Sequence, residues 1–323
     1  MKQPLHKEFL RRHDLVLETL EPLNQAAKDQ GGKFVFAGGS AVQTLLPRPP
    51  RLSIDLDAYT NIEPAELVKS LSPSHVIAPK KSSLPGYSFF NATKGTTTIR
   101  LDLTTTPLPK GAETEKRITL KGSAFNISIA SPHYLFASKL TALSIGTIGR
   151  KLDNQTSFIK DFYDDNSIQE QYGVPVLAWH HFESCTKSEN NLRGTDYSPK
   201  EVAVAAINAL KRGAPLYPDS PTTKGAIDDF GQLLLEGKVD KPTLSAMSLR
   251  IAAYLNAYLS TGATRAEEEI KRLEEDVTAN SHQTRAVNAY EAELGKKENR
   301  RFLRELKFFA PKALAYLYSI RDI

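Results

Sequence analysis

Phe34-Val-Phe-Ala-Gly-Gly-Ser-Ala-Val-Gln-Thr-Leu-Leu-Pro-Arg-Pro-Pro-Arg-Leu-Ser-Ile-Asp-Leu-Asp-Ala-Tyr-Thr60 is the stretch on which the reading of this chain turns. A short apolar run ends in Gly38-Gly39-Ser40, and a brief amphipathic segment follows. A second run, Leu52 to Tyr59, alternates Leu52, Ile54, Leu56 and Ala58 with Ser53, Asp55 and Asp57. Side chains alternate faces along a strand, so Asp55 and Asp57 are expected to share one face with Ser53 while the aliphatic residues take the other. Two carboxylates spaced in this way form a seat for a divalent cation. A Gly-Gly-Ser turn leading into a helix offers backbone N–H groups to a phosphate.

The elements around this stretch are legible from periodicity. His6–Asp29 predicts a helix with Phe9, Leu15, Leu17, Leu20, Leu23 and Ala27 as its apolar stripe, ended by Gly31-Gly32. Lys33–Ala37 predicts a strand. Ser40 with Gln43 three residues on matches a capping box for a helix through Leu46, which Pro47-Arg48-Pro49-Pro50 must end. Pro64–Leu71 suits a helix. Tyr87–Ala92 and Thr97–Thr104 read as a hairpin around Lys94-Gly95, and Lys116–Leu120 with Ala124–Ala130 as a second pair around Gly122. No doubly wound repeat is visible. Ser131 then caps a helix with Pro132 at its first position.

From there the chain is mostly helical, over roughly Phe158–Tyr172, Val174–Glu183, Lys200–Lys211, Thr222–Leu235, Lys241–Ser260, Arg265–Ala279, Thr284–Leu294 and Lys297–Tyr318. The expected organisation is α+β: an α/β domain over residues 1–150 and a helical domain over 151–323, whose first helix completes the site.

Composition narrows the class. The chain has 323 residues, 40% of them hydrophobic and 24% charged, as in an ordinary globular protein. One cysteine, Cys185, excludes an internal disulfide framework and a cysteine-rich zinc site. With no signal-peptide core and no run of about 18 apolar residues, no membrane span and a cytoplasmic location are expected. Residues 1–150 carry 19 Lys and Arg against 12 Asp and Glu, whereas the remainder carries 23 against 25. A basic half that also holds the candidate site suits a polyanionic partner, and equally describes a solvated basic surface.

Further residues join the candidate set. Asp102 is the sole acidic residue between Leu67 and Ala112, a span with six Lys or Arg. In Ile99-Arg-Leu-Asp-Leu-Thr104 it shares a face with Arg100 and Thr104. It is either a third carboxylate, taking a proton from an attacking hydroxyl or completing a metal shell, or one half of a cross-strand salt bridge with a nearby lysine. Ser40 reads both as a helix cap and as a phosphate ligand. Arg48 and Arg51, between the turn and the aspartates, are either phosphate clamps or solvated loop residues. Lys139 on one helix, with Asp161 and Asp164 on the next, is either a phosphate contact oriented by Asp161 or a set of surface charges. Gly146-Thr-Ile-Gly149 matches a nucleic-acid backbone clamp, but a helix C-terminus explains it better. His180, His181, Glu183 and Cys185 fit no zinc spacing. The basic stretch Lys296–Lys307 reads as a solvated helix face. No P-loop or nucleophile elbow is present.

Taken together, Ala37-Gly-Gly-Ser-Ala41, Arg51-Leu-Ser-Ile-Asp-Leu-Asp57, Ile127-Ser-Ile-Ala-Ser-Pro-His-Tyr-Leu-Phe-Ala-Ser-Lys-Leu-Thr-Ala-Leu143 and Lys160-Asp-Phe-Tyr-Asp164 resemble the AbiEii-type nucleotidyltransferases, toxins of AbiE and MenT-like toxin–antitoxin pairs within the polymerase-β superfamily. The resemblance spans about residues 30–170. It implies a polymerase-β-like domain with a mixed sheet and flanking helices. It also implies magnesium on Asp55 and Asp57, triphosphate on Gly39 and Ser40, Lys139 on the nucleotide phosphates, and Asp161 completing the catalytic set; Asp102 and Arg51 join this set from their positions alone. The implied partners are an NTP, an RNA acceptor at the 3′ end of tRNA, and a cognate antitoxin. The expected function is transfer of a nucleoside monophosphate from an NTP to an acceptor hydroxyl. The alternatives are the same chemistry on a small molecule or protein, and a catalytically silent RNA-binding module.

Overall fold

A long helix, α1 (Gln3–Asp29), leads into strand β1 (Phe34–Ala37), helix α2 (Gly38–Leu45) and strand β2 (Asp55–Thr60). The structure is a computed structural model. It describes residues 3–82, 84–120, 122–151, 155–216, 220–235, 237–278, 312, 316–317 and 319–320, with side chains from residue 6 onward. Helix α3 (Pro64–Val68), continued by a 3-10 turn over Lys69–Leu71, precedes strands β3 (Val76–Lys80), β4 (Tyr87–Lys94), β5 (Thr97–Thr104), β6 (Glu113–Leu120) and β7 (Ser123–Ala130). These form one mixed sheet in the order β3-β4-β5-β2-β1-β7-β6.

The register follows from the alternation of the strands. Along β2, half-buried Asp55, Asp57 and Tyr59 alternate with buried Leu56, Ala58 and Thr60. Leu56 and Ala58 join Ile99, Leu101 and Leu103 of β5, Phe36 of β1 and Ile129 of β7 in the core. Helix α1 lies across β1, β2, β5 and β7. Its Val16, Leu20 and Leu23 are fully buried, each contributing about 1.5–3 kcal/mol through the hydrophobic effect. Gly31, at φ +68°, ends α1 in the left-handed region where glycine carries no steric cost.

Three sequence expectations change here. Strand β2 begins at Asp55 rather than Leu52, because the Leu52 N–H donates to the Leu233 carbonyl at 2.7 Å instead of entering the sheet. The capping box at Ser40 is not formed: α2 already begins at Gly38, its N-cap is Ala37, and no side chain caps it. Strand β3 went unexpected. It lies at the sheet edge beside β4 and carries Pro79, which lacks the N–H a central strand needs and is tolerated at such an edge.

The remainder comprises α4 (Pro132–Ala142), α5 (Gln155–Tyr172), α6 (Val176–Arg193), α7 (Pro199–Gly213), α8 (Lys224–Gly231), α9 (Lys241–Thr261) and α10 (Ala263–Thr278). Two compact units are distinguished. One holds residues 1–135, 191–194 and 232–236; the other holds 136–190, 195–231 and 237–323. The division falls within α4, ahead of residue 150, where the composition changes. In the helical unit α9 packs against α5, α7 and α10. Leu244, Leu249, Ile251, Ala252, Ala253 and Leu255 are buried around much of its circumference, the pattern of a central helix. Ser198 and Glu201 form a complete capping box at α7, with Pro199 in its first turn. The expected helices Thr284–Leu294 and Lys297–Tyr318 lie outside the described residues, apart from residues 312, 316 and 317. The basic stretch 296–307 lies wholly outside them.

Candidate active site

The site in the sheet unit begins where β1 hands over to α2. Ala37 pairs with Asp57, so the first residue of α2 stands directly beside the Asp57 carboxylate. Gly38 has φ +69°, and a Cβ built on it would fall on the Asp57 side chain. Only glycine satisfies both the backbone conformation and the close approach. The Ser40 hydroxyl, wholly buried, donates to the Asp55 carbonyl at 2.5 Å and fastens α2 to β2. The sequence places a phosphate ligand at Gly39 and Ser40. In the structure Gly39 is half-buried in the first turn of α2, Ser40 is a tether, and the residue shaped by proximity to the carboxylate is Gly38.

Strand β5 runs parallel to β2 in a register that sets Asp102 against Asp57 and Arg100 against Asp55. The three aspartates therefore share one face of two neighbouring strands. Asp102 sits beside Asp57, 8% exposed, and its ion pair lies within its own strand rather than across strands: the Arg100 guanidinium donates to its Oδ2 at 2.5 Å. Arg12 of α1 approaches Asp55 Oδ1 at 3.8 Å. Burial works against the charge on Arg100. The hydrogen bond and charge of Asp102, with the fields of Asp55 and Asp57, nevertheless hold its pKa above the usual arginine value. Arg12 and Arg100 are the functional neighbours that sequence reasoning missed. Arg100 was visible on the right face of its strand, whereas nothing local ties Arg12 to Asp55, 43 positions later.

Arg51 occupies a different environment from the one expected. It is 2% exposed, its guanidinium donates to the Leu52 carbonyl at 2.9 Å, and its backbone forms a bridge with Leu234. This is a buried structural arginine.

Among the described residues, no group of three or more His, Cys, Asp or Glu side chains forms a ready-made metal cage. The donors nonetheless suit a hard cation. Asp55 and Asp57 offer carboxylate oxygens from one strand face, and the missing Cβ of Gly38 lets the Asp57 carboxylate lie against the N-terminus of α2. Magnesium commonly takes one or two protein carboxylates and fills its octahedron with substrate phosphates and water.

The helical unit gathers the remaining candidates. Lys139 Nζ lies 3.0 Å from Asp161 Oδ1 and 2.7 Å from Asp164 Oδ2, with all three side chains at least 90% buried. Arg150 Nε reaches Asp161 Oδ2 at 3.0 Å. The Gly146–Gly149 turn delivers Arg150: Gly149 packs against the Ser144 backbone, and the Arg150 N–H donates to the Ala142 carbonyl at 2.9 Å. Burial opposes ionisation of Asp161, but Arg150 and Lys139 together hold its carboxyl below the usual range. Its neighbour Asp165 goes the other way. Burial raises it well above the usual range, Lys139 pulls against that, and the charges of Asp161 and Asp164 add to the rise. Of the other cluster weighed from sequence, His181 is buried on α6 and His180 lies 3.8 Å from Glu183.

The sheet unit thus sets a glycine-led helix against an Asp-x-Asp strand, with a third aspartate in register. Residues 23–236 match the family of the nucleotidyl transferase AbiEii toxin, type IV toxin–antitoxin system. The chain belongs to that family and is a nucleotidyltransferase, for which a nucleotide substrate and a cognate antitoxin are implied. No curated protein matches it. Among solved structures it is similar to the crystal structure of an antigenic nucleotidyltransferase-like protein from Paracoccidioides brasiliensis, at 13% identity and a TM-score of 0.36, over 59% of this chain and 91% of that one. No helix among the described residues is long and apolar enough to cross a membrane.

Proposed function

We propose that the protein transfers a nucleoside monophosphate from an NTP to a hydroxyl of an RNA, at the 3′ end of tRNA, and releases pyrophosphate. The observation that carries this reading is the register of Asp57 with Asp102 beside the glycine that opens α2. Asp55 and Asp57 would hold magnesium, which would supply charge neutralisation for the phosphates in an in-line displacement. The free N–H groups in the first turn of α2 receive phosphate oxygens. Asp102 accepts the proton of the acceptor hydroxyl as its oxygen bonds to the α-phosphorus, and the bond to the pyrophosphate oxygen breaks on the opposite side. Arg100, holding Asp102 by one edge of its guanidinium, orients that carboxylate. Lys139 and Asp161 remain in the proposal as a charge pair within the helical unit on which activity depends.

The test is incubation of total RNA with each labelled NTP in turn, using wild type and Asp57→Ala. Wild type is expected to label an RNA of tRNA size with one NTP in a magnesium-dependent, ribonuclease-sensitive way. The variant is expected to fold and to lose about 10³-fold or more of the rate, the several kcal/mol a metal supplies to such a transition state. Undiminished labelling by Asp57→Ala would remove the site. A labelled product resistant to ribonuclease would move the acceptor to a protein or small molecule.

A further inference from the structure

The acidic row of the sheet continues into an aromatic and basic one. Register carries a single line across four strands: Asp57 of β2 stands beside Asp102 of β5, Asp102 beside Phe89 of β4, and Phe89 beside Lys80 of β3. Paired residues in a sheet project from the same face. Phe89 and Tyr87, two residues apart on β4, are half-buried and lie parallel, with ring centroids 6.2 Å apart and planes 19° apart. The Arg100 guanidinium stands 5.9 Å over the Phe89 ring, and its side chain is half exposed. Lys80 and Lys81 are exposed. Apart from Asp102, no acidic residue occurs between Leu67 and Ala112 to offset these cations.

Direction follows from the chemistry. The sheet order sets β1 on one side of β2, and β5 and β4 on the other, while α2 packs on β2 and β1. Attacking and leaving oxygens lie on opposite sides of the phosphorus in an in-line displacement. With Asp102 taking the proton of the attacking hydroxyl, as in the proposed reaction, the acceptor comes from the side of Asp102, over β5 and β4.

We propose that the β4–β3 end of this face is the platform for the acceptor: the terminal bases of a single-stranded RNA end stack on Phe89 and Tyr87, and Lys80 with Arg100 meets its phosphates. Stacking on aromatic rings within a basic groove is how single strands are held without reading their sequence. The inference rests on the RNA-acceptor reading given above and specifies where on the sheet the strand lies.

Binding measured without NTP separates this surface from the reaction. A fluorescently labelled single-stranded RNA decamer is titrated by anisotropy into wild type, Asp57→Asn, Phe89→Ala, Phe89→Trp and Lys80→Ala. Wild type and Asp57→Asn are expected to bind alike. Phe89→Ala is expected to bind about tenfold more weakly, within the range for one base removed from a ring, and Phe89→Trp within about twofold of wild type. Lys80→Ala, at an exposed position, should reduce the steepness of the salt dependence by about 0.7 for each phosphate that Lys80 neutralises. Unchanged affinity in Phe89→Ala together with an unchanged salt slope in Lys80→Ala overturns the platform and leaves the reaction proposal standing. Retained transfer by Asp57→Asn, with the Phe89→Ala loss observed, strikes the reaction proposal alone. A raised KM for NTP in Phe89→Ala with RNA affinity intact would assign the ring to the nucleotide base and also overturns the platform.

Discussion

At the scale of single residues, Gly38 and Asp57 illustrate how little room the site has. Gly38 combines φ +69° with a position where any Cβ would overlap the Asp57 carboxylate. Gly38→Ala therefore has to shift either the start of α2 or Asp57, while the positive φ itself costs about 1 kcal/mol. Displacing the carboxylate proposed to hold the metal by a fraction of an ångström to an ångström is expected to lower the transfer rate by roughly 10²-fold, read as kcat in the labelling assay. A Gly38→Ala enzyme of wild-type rate would show that Asp57 has slack the structure does not suggest. Ser40 teaches the complementary lesson. The pattern Ser-x-x-Gln reads identically whether the serine is the cap or the third residue of the helix. What decides is the Asp55 carbonyl, 15 residues away, to which its hydroxyl donates.

At the scale of elements, α4 and α5 are joined by a buried charge cluster. Lys139 stands within ion-pair distance of both Asp161 and Asp164, each at least 95% buried. Lys139→Ala leaves two buried carboxylates short of their cation, and breaking such a pair typically destabilises by about 3–5 kcal/mol. The expected outcome is a large drop in the denaturant midpoint. Lys139→Met, which keeps the aliphatic stem, is expected to recover packing without restoring the charge. A loss of activity in either variant has to be read beside this stability change, which makes Asp57 the cleaner probe of catalysis.

The hairpins show which elements were legible. β4 with β5 and β6 with β7 were visible because alternation and a glycine turn, Gly95 or Gly122, are both local. β3 was not, because Pro79 argues against a strand until its place at the sheet edge is known. The burial of Arg51 was hidden for a similar reason. The partners that bury its segment, Leu233 to Leu235, are contributed by a stretch far along the chain.

At the scale of the whole molecule, two buried carboxyls give stability opposite dependences on pH. Asp161 is held below the usual carboxylate range, so its contribution is present above the unfolded value near 4 and is lost as pH falls through its lower folded value. Asp165 is held well above that range, so the native state keeps a proton that the unfolded chain has released. Stability from Asp165 is present below the unfolded value and declines as pH rises toward its folded value. Asp165→Asn, neutral at every pH and close in shape, removes that decline. Thermal unfolding from pH 5 to 8 is expected to show the variant gaining on wild type as pH rises. A difference in Tm that stays constant with pH would mean that Asp165 is ionised in the folded protein.

By itself the sequence determined the family and its class of chemistry, and singled out the residues proposed to carry it: the Gly-Gly-Ser turn, Asp55 and Asp57 on one strand face, the solitary Asp102, and Lys139 with Asp161 on successive helices. Strand alternation and helix periodicity are local properties, which a reader can apply without knowing what lies alongside. Only the tertiary structure decided that β5 lies parallel to β2 in the register that sets Asp102 beside Asp57, that Gly38 rather than Ser40 makes room for the carboxylate, and that Arg100 and Arg12 attend the aspartates. Strand order and register depend on which apolar faces bury one another across the chain, and no short-range pattern encodes that choice. The Gly-Gly-Ser turn and the Asp-x-Asp strand remain the centre of the site, tied together by the Ser40 hydroxyl and the space left at Gly38.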